Sequence, residues 1–196
     1  MRNSEISRKT SETDINLKLN IDGTGKYNIN TGCGFLNHML ELFAKHGRFD
    51  LDIDCTGDTE VDFHHTAEDV AIVLGEAFLK ALGDMSGINR YADKCLPMDE
   101  ALVICSVDVS GRGYYQSNFE FPSQKIGEFD TELVDEFFAA FARHAKLTLH
   151  FVQLRGNNSH HIAECAFKAF ARTISFATSV NPELCGEIPS TKGVLV

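Results

Sequence analysis

The chain has 196 residues, of which 43% are apolar and 15 are phenylalanine, enough for one sizeable domain or two closely packed small ones. A net charge of −10 and a pI near 5.2 argue against nucleic-acid binding, because phosphate backbones are bound by concentrated basic faces. The polar N-terminus and the lack of any long apolar run predict neither a signal peptide nor a membrane span. We therefore expect a soluble, cytoplasmic protein with no nucleic-acid or membrane partner.

Six cysteines are spread along the chain without any Cys-x-x-Cys pair. They fall mostly in apolar stretches, at Cys33, Cys55, Cys95, Cys105, Cys165 and Cys185. This pattern is typical of reduced thiols in a core rather than of a disulfide framework, a catalytic thiol or a metal site.

Apolar periodicity divides the first half into clear elements. Residues 14–23 alternate as a strand with one buried face, and residues 26–30 are expected to complete a hairpin with it after a glycine-rich turn. Further along we predict a helix over 35–46 that stops at Gly47, a strand over 51–55, and a long helix from His64 to Gly83.

The second half gives a similar series. An apolar strand over 101–109 is expected to pair with residues 114–121, which alternate. We then predict an amphipathic helix over 131–144, a strand over 147–154, a helix from His160 to about Thr178, and an irregular tail over 181–196.

One motif occurs twice. His64-His65-Thr66-Ala67-Glu68 returns ninety-six residues later as His160-His161-Ile162-Ala163-Glu164. At about 100° per helical residue, the first histidine and the glutamate share a face, while the second histidine points roughly a quarter turn away. Diverging imidazoles do not readily chelate one ion, but each can serve a different one. The repeat therefore predicts a dinuclear or paired metal site.

The repeat extends beyond the motif. Residues 51–68 align without a gap with residues 147–164, and the preceding helices align with a two-residue shift that puts His38 opposite Glu136. We infer two pseudo-equivalent half-sites, each made of one motif and one ligand from a neighbouring helix. The predicted fold class is α+β, with duplicated halves over about 8–86 and 87–180, two sheets of about four strands that sandwich the helices, and a C-terminal segment 181–196.

Several other polar residues have both a structural and a functional interpretation. Asp69 could orient an imidazole or could simply place a charge in the first turn of a helix. Loop arginines are usually only solvated, but Arg112 lies between two glycines, where a ligand could approach, and Arg90 also borders a turn. Lys168 follows Glu164 by one helical turn, and Lys192 follows Pro-Ser-Thr in a tail suited to gripping phosphate. His46, His144 and His150 are interpreted as capped, exposed or core histidines.

Six motifs together resemble one enzyme family. They lie at 34–40 (Gly-Phe-Leu-Asn-His-Met-Leu), 64–69, 108–112 (Asp-Val-Ser-Gly-Arg), 158–164, 167–172 and 188–195 (Ile-Pro-Ser-Thr-Lys-Gly-Val-Leu). From about Arg8 to the C-terminus the chain resembles the imidazoleglycerol-phosphate dehydratases. The resemblance implies a fold like that of ribosomal protein S5 domain 2, with two mixed four-stranded sheets. It also implies a hydro-lyase that converts D-erythro-imidazole glycerol phosphate to imidazole acetol phosphate in histidine biosynthesis, with two Mn(II) ions per site and twenty-four subunits that share active sites.

The resemblance also implies roles for individual residues. The implied metal ligands are His38, His64, His65, Glu68, His160, His161 and Glu164. The implied phosphate-binding residues are Arg90, Arg112, Lys168, Ser190 and Lys192. The implied catalytic carboxylates are Glu12, Glu68 and Glu164. Some family members carry a histidine where this chain has Glu136, so whether Glu136 binds metal stays open.

The substrate that the resemblance implies would explain why so many ligands are needed. It has no carbonyl to make its proton acidic, so the imidazole ring must accept the electrons, and two metals on its nitrogens would stabilise an imidazolate. Loss of hydroxide then gives a diazafulvene, and a carboxylate, Glu12 or Glu164, removes the proton from the next carbon. Two alternatives are a dinuclear metal hydrolase and a metal-storing shell, although the shell gives no role to Arg112 or Lys192.

Overall fold

A computed structural model describes residues 2–184 and 186–195 of the chain. Its strands are β1 (Asn3–Lys9), β2 (Thr13–Asn20), β3 (Tyr27–Asn30), β4 (Asp50–Gly57), β5 (Tyr91–Met98), β6 (Ala101–Asp108), β7 (Tyr114–Gln116), β8 (Lys125–Ile126), β9 (Phe129–Asp130) and β10 (Thr148–Arg155). Its helices are α1 (Gly34–Gly47), α2 (His64–Leu82), α3 (Glu132–His144) and α4 (Ser159–Thr178). A short 3₁₀ turn covers Pro182–Leu184.

Two four-stranded sheets have the same internal order, β1-β2-β4-β3 and β5-β6-β10-β7. In each sheet the last pair is parallel and the other pairs are antiparallel, so both sheets are mixed. Helix α2 packs on the first sheet and α4 on the second, while α2 also contacts α3 and α1 contacts α4. The four helices therefore lie between the sheets, and the predicted α+β class is confirmed.

A ring of four phenylalanines, one from each helix, holds the helical layer together. Phe43, Phe78, Phe141 and Phe170 are buried to 1% exposure or less. Successive ring centroids are 5.9, 5.4, 5.0 and 5.5 Å apart, which closes the circle. Such pairs each stabilise a fold by about 0.5–1.5 kcal/mol beyond their buried area. The ring thus fixes the four helices relative to one another.

Helix boundaries agree closely with the sequence. Helix α2 begins at His64, and Gly83 follows its last residue with φ of +62°, a conformation that favours glycine. Helix α1 includes Gly47 and is followed by Arg48, also in the left-handed region at φ of +61°. Helix α4 ends at Thr178 as predicted.

The predicted hairpin between residues 14–23 and 26–30 is wrong. Strand β3 pairs with β4 in parallel, and β4 lies between β2 and β3. The cause is the turn at Gly23, where an added Cβ would lie 2.3 Å from the Asp50 nitrogen. Asp50 Oδ1 also accepts hydrogen bonds from the backbone nitrogens of Thr24 (2.8 Å) and Lys26 (3.0 Å). This turn therefore docks on the start of β4.

The predicted pairing of residues 101–109 with 114–121 is also wrong. Only Tyr114–Gln116 forms a strand there, and it pairs in parallel with β10. The chain is held near α3, because a Cβ at Gly113 would lie 2.7 Å from the Arg143 Cα. Strand β6 instead pairs with β5 and β10. The edge strand β5 escaped sequence detection and contains Pro97, which an edge tolerates.

The thiols match the expected core role in four cases. Cys33, Cys55, Cys105 and Cys165 are free and buried, and Cys95 is free but exposed. Burial raises the pKa of Cys55 to about 12 and that of Cys165 to about 11. The prediction for Cys185 lies outside the described residues. Within the described ranges, no helix has the length and apolarity needed to cross a membrane.

Candidate metal centre and active site

Three side chains that can bind a metal come together between α1 and α4. The donor atoms of His38, His160 and Glu164, which we call the His38 cluster, all lie within 4.8 Å of one another. His160 Nε2 is 3.1 Å from Glu164 Oε2, and His38 Nε2 is 3.8 Å from the same oxygen. The cluster joins a histidine of the first half to the motif of the second half, because α1 packs against α4.

The start of α4 presents the second motif. Asn158 is its N-cap, and the side-chain oxygen accepts hydrogen bonds from the backbone nitrogens of His160 (2.9 Å) and His161 (3.3 Å). His160 and Glu164 then lie one turn apart on one face. The His160 imidazole and the Phe35 ring pack edge to face with their centroids 5.4 Å apart, which limits how far the imidazole can swing.

Lys168 makes an ion pair with Glu164, whose side chain is only 9% exposed. Burial raises the pKa of the Glu164 carboxyl, but the hydrogen bond and charge of Lys168, together with His160, outweigh it and hold that pKa below its ordinary value. Glu164 is therefore an ionised carboxylate at neutral pH, available as a ligand or a base.

The first motif is arranged more loosely. His64 Nε2 lies 3.8 Å from Glu68 Oε2. Glu136, the possible counterpart of His38, makes a 3.2 Å ion pair with Arg143 on its own helix. Among residues 2–184 and 186–195, no third metal-competent donor joins His64 and Glu68 within the spacing of the His38 cluster.

The second histidine of each motif lies between two carboxylates. His65 Nδ1 is 2.9 Å from Asp58, and its Nε2 is 3.9 Å from Glu12. The hydrogen bond with Asp58 is the main cause that raises the pKa of His65. Glu12 is about half exposed, so a small ligand could reach its carboxylate.

The second motif has a matching arrangement. His161 Nδ1 is 2.6 Å from Glu100, and its Nε2 is 3.8 Å from Asp99. The hydrogen bond between His161 and Glu100 raises the pKa of the imidazole and lowers that of Glu100 to about 2. Neither Asp58 nor Glu100 was found from the sequence, because nothing in the residue spacing indicates that their loops reach the histidines.

Within residues 2–184 and 186–195, the hydrogen-bond and ion-pair partners of the Asp69 carboxylate are Thr13 and Arg8 and not an imidazole. The carboxylate accepts a hydrogen bond from the Thr13 hydroxyl and makes a 2.6 Å ion pair with Arg8. Both partners flank the turn between β1 and β2, which carries Glu12. The buried Asp69 therefore holds the turn that presents Glu12, a structural role that the sequence did not specify.

The predicted phosphate-binding residues fall into separate groups. Arg90 makes an ion pair with Asp108 (2.7 Å) and donates from Nη1 to the Pro189 carbonyl (2.7 Å), so it ties the tail to β6 next to Ser190. The hydrogen bond with Asp108 also raises the pKa of Arg90. Within the tail, Ser190 Oγ accepts a hydrogen bond from the Lys192 nitrogen at 3.2 Å.

Arg112 and Lys168 stand apart from that tail turn. Arg112 donates only weakly to its own loop, to the Ser110 carbonyl at 3.4 Å. Lys168 lies on the side of α4 that carries the His38 cluster, where its Nζ contacts the Glu164 carboxylate. In the repeat alignment, the position of Lys168 is occupied in the first half by Ile72, so the cation beside the glutamate occurs in only one half.

A basic cavity of about 440 Å³ opens behind α4, and His46, Arg48, Lys94 and Arg172 are among its lining residues. Burial, followed by the charges of Lys168 and Arg172, lowers the pKa of His46. His46 is thus a half-buried histidine beside cations, and not an isolated surface residue.

A second cavity of about 420 Å³ is lined by His160 of the second motif and by Phe63, the residue that precedes the first motif. The sequence model of the imidazoleglycerol-phosphate dehydratase family matches residues 31–174, a range that includes both motifs and the His38 cluster. The chain belongs to the imidazoleglycerol-phosphate dehydratase family. Imidazoleglycerol-phosphate dehydratases from Azorhizobium caulinodans and Xanthobacter autotrophicus are 57% and 58% identical to it, each over 100% of this chain and 99% of the relative.

Solved dehydratases have the same fold. The Staphylococcus aureus imidazoleglycerol-phosphate dehydratase is 40% identical with a TM-score of 0.84, over 91% of this chain and 99% of that one. The Pyrococcus furiosus imidazoleglycerol-phosphate dehydratase is 36% identical with a TM-score of 0.84, over 97% and 100%. The predicted family is confirmed, and so is the predicted enzyme class, a hydro-lyase. Membership in this family also supports the predicted pathway, histidine biosynthesis.

Proposed function

We propose that the protein removes water from D-erythro-imidazole glycerol phosphate to give imidazole acetol phosphate, with two Mn(II) ions at each active site. The observation that carries this proposal is the His38 cluster, with Lys168 beside it. Family membership supports a phosphorylated imidazole as substrate. The cluster supplies the donors that a metal-assisted reaction on an imidazole requires.

The donor chemistry of the His38 cluster suits a divalent transition metal. Two imidazole nitrogens and an ionised carboxylate, all within 4.8 Å, are ligand types that manganese accepts. We propose that His38, His160 and Glu164 hold metal, and that the further ligands are His64, His65, Glu68 and His161. When bound, the ions would act as Lewis acids that stabilise negative charge on the imidazole ring.

The chemistry requires one C–O bond and one C–H bond to break. Once the ring has lost its N–H proton, hydroxide leaves the carbon next to the ring, which gives a neutral diazafulvene, and a carboxylate removes the proton from the neighbouring carbon. The enol so formed takes up a proton on the ring-adjacent carbon and releases its hydroxyl proton to become the ketone, and a ring nitrogen is protonated again. We assign the proton removal to Glu12, whose carboxylate is exposed near His65 Nε2, with Glu164 and Glu68 as candidates for the second transfer.

The phosphate of the substrate would be bound by basic residues that lie apart from one another within a single subunit. Lys168 lies beside the His38 cluster, whereas Arg90 is fixed to the tail that carries Ser190 and Lys192. Because only the second half has a cation at the Lys168 position, we expect the phosphate to lie on that side. Arg112, on its glycine-flanked loop, would complete the grip.

We also propose a homo-oligomer of twenty-four subunits with active sites between copies. Its support is the division of the phosphate-binding residues into separate groups and the exposed aromatic residues on the outer strands, such as Tyr27, Tyr91 and Tyr114. Twenty-four copies of a 21.7 kDa chain would have a mass of about 520 kDa, measurable by light scattering. A monomer that retained full activity would contradict shared sites.

The free, buried thiols support a reducing compartment, and we propose that the enzyme works in the cytoplasm. Fractionation of the source cells would test this. Recovery of the protein with a secreted or membrane fraction would contradict it.

The metal requirement is tested with the full chain. Removing metal with a chelator should abolish formation of imidazole acetol phosphate, and adding Mn²⁺ should restore it. Full turnover by protein that elemental analysis shows to be metal-free would contradict the proposal.

The same protein separates the remaining functional classes. A dinuclear hydrolase would release phosphate from a generic ester such as p-nitrophenyl phosphate, whereas we expect no release. A metal-storing shell would bind Mn²⁺ but no phosphorylated imidazole, whereas we expect substrate binding that depends on Lys168.

A further inference from the structure

Two carboxylates outside the motifs bind the same atom of equivalent histidines. Asp58, in the loop before α2, lies 2.9 Å from His65 Nδ1, and Glu100, in the turn between β5 and β6, lies 2.6 Å from His161 Nδ1. The sequence repeat does not account for this similarity, because the gapless alignment places Leu154, and not Glu100, opposite Asp58. Two unrelated loops thus reach the same arrangement.

The hydrogen bond on Nδ1 decides which nitrogen of the ring is free to bind a ligand. A carboxylate only accepts, so the neutral imidazole must carry its proton on Nδ1 and keep its lone pair on Nε2. In both histidines Nε2 faces the opposite way, toward Glu12 at 3.9 Å and toward Asp99 at 3.8 Å. Asp58 and Glu100 therefore fix both the orientation of each imidazole ring and the nitrogen atom that faces the site.

Glu100 is itself held firmly. Its Oε1 accepts hydrogen bonds from the backbone nitrogens of Asn157 (3.2 Å) and Asn158 (2.9 Å), while Oε2 contacts His161. Asn158 in turn caps α4. One carboxylate therefore connects the loop, the helix start and the imidazole.

Asp58 reaches His65 with one oxygen only. Its Oδ1 is buried and has no hydrogen-bond partner among the described residues, and its backbone nitrogen donates to the Glu12 carbonyl at 3.0 Å. Among the described residues, the hydrogen bond from His65 is thus the one side-chain hydrogen bond that this carboxylate accepts. It also connects the turn that carries Glu12 to the first motif.

We propose that Asp58 and Glu100 are positioning residues for the metal centre, each holding the second motif histidine as the Nδ1–H tautomer with Nε2 presented to the metal. This inference rests on the proposed metal-dependent function. Carboxylates behind ligand histidines typically change metal affinity about ten- to a hundredfold when they are removed.

The test uses the isosteric variants Asp58→Asn and Glu100→Gln in the full-length, chelator-treated protein. Gln can still accept the Asn157 and Asn158 hydrogen bonds, so the loop is retained. Mn²⁺ alone is titrated, and free ion is followed by electron paramagnetic resonance. We expect each variant to bind Mn²⁺ about ten- to a hundredfold more weakly, with weaker spin-echo modulation from histidine nitrogen and an unchanged melting temperature.

The matched control is Glu76→Gln. Glu76 also contacts a histidine, His144 Nδ1 at 3.3 Å, but that histidine is outside both motifs. Its Mn²⁺ affinity should equal that of the unaltered protein. The inference would be overturned if Asp58→Asn and Glu100→Gln bound Mn²⁺ as tightly as the unaltered protein, or if Glu76→Gln lost as much Mn²⁺ affinity as these two variants. Either result would leave the proposed function standing. Absence of Mn²⁺ binding by the unaltered protein would overturn both.

Discussion

The Nε2 atom of His38, in the first half of the chain, lies 3.8 Å from Oε2 of Glu164, in the second half. The two residues are far apart in sequence and belong to different copies of the repeat. They meet because α1 packs against α4. The candidate half-site at the second motif therefore depends on the packing of both halves, and a change at His38 should be felt there.

The variant His38→Ala should lose one donor of the His38 cluster. We expect Mn²⁺ affinity to fall at least tenfold, because the remaining imidazole and carboxylate form a poorer ligand set. Calorimetric titration with Mn²⁺ measures this loss. His150→Ala, which removes a histidine outside the cluster on β10, should leave the affinity unchanged. Equal affinities for all three proteins would remove His38 from the site.

Replacing Glu12 by Gln should separate catalysis from metal binding. The carboxylate would no longer accept a proton, so kcat should fall about 10²- to 10⁴-fold while Mn²⁺ affinity stays within a few-fold. Steady-state kinetics at saturating Mn²⁺ provide the measurement. Glu5→Gln, on the exposed face of β1, is the control. Full turnover by Glu12→Gln would exclude an acid or base role for this residue.

Lys168→Met should mainly weaken substrate binding. A charged donor lost from a phosphate typically costs about 1.5–3 kcal/mol, which corresponds to a KM higher by roughly ten- to a hundredfold. The comparison is with Lys80→Met, which removes an exposed lysine of α2. An unchanged KM for Lys168→Met would place the phosphate elsewhere.

Gly75 on α2 allows the close approach of α3. An added Cβ would lie 2.8 Å from the Phe141 oxygen and 2.9 Å from the Ala145 nitrogen. Although alanine is the better helix former, Gly75→Ala should destabilise the fold by about 1–3 kcal/mol, because backbone must move. Gly34→Ala, with nothing within 4 Å of its Cβ, is the control. Denaturant unfolding that ranked Gly75→Ala as the more stable variant would contradict this packing.

The Arg2–Asp22 pair should give a pH-dependent stability. The hydrogen bond from Arg2 lowers the pKa of Asp22 and outweighs the effect of burial. A lowered folded-state pKa means that the contribution is present above the unfolded value, about 3.9, and is lost as the pH falls through the folded pKa. Asp22→Asn should therefore lower the melting temperature slightly at pH 7, and this difference should disappear as the pH falls through the lowered folded-state pKa of Asp22. A gap that persisted at pH 2 would refute the assignment.

Helices and the core were largely predictable from the sequence, because their signals are local. The apolar periodicity of residues 35–46 and 131–144 corresponds to α1 and α3, and Gly83 ends α2 where a left-handed residue is required. The buried thiols of Cys55 and Cys105 also follow from strand alternation.

Strand partners were not predictable, because pairing depends on contacts far apart in sequence. Residues 26–30 follow a turn that locally resembles a hairpin, yet Asp50 binds that turn and directs β3 to the far side of β4. Strand β1 is a polar edge strand, in which only Ser4 is buried, so its alternation carries little signal.

The candidate site was predictable in its residue types but not in its grouping. The motifs identified His160 and Glu164, but only the packing of α1 against α4 brings His38 to them. Asp58 and Glu100 were missed for the same reason, since each reaches its histidine from a loop.

We propose that this chain holds its catalytic metal with the His38 cluster. Anomalous diffraction at the manganese edge, from crystals of the Mn²⁺-loaded protein with a substrate analogue, tests it most directly. We predict an anomalous peak within bonding distance of His38, His160 and Glu164. Fully loaded crystals with no manganese peak at these three side chains would show that the His38 cluster does not hold the metal.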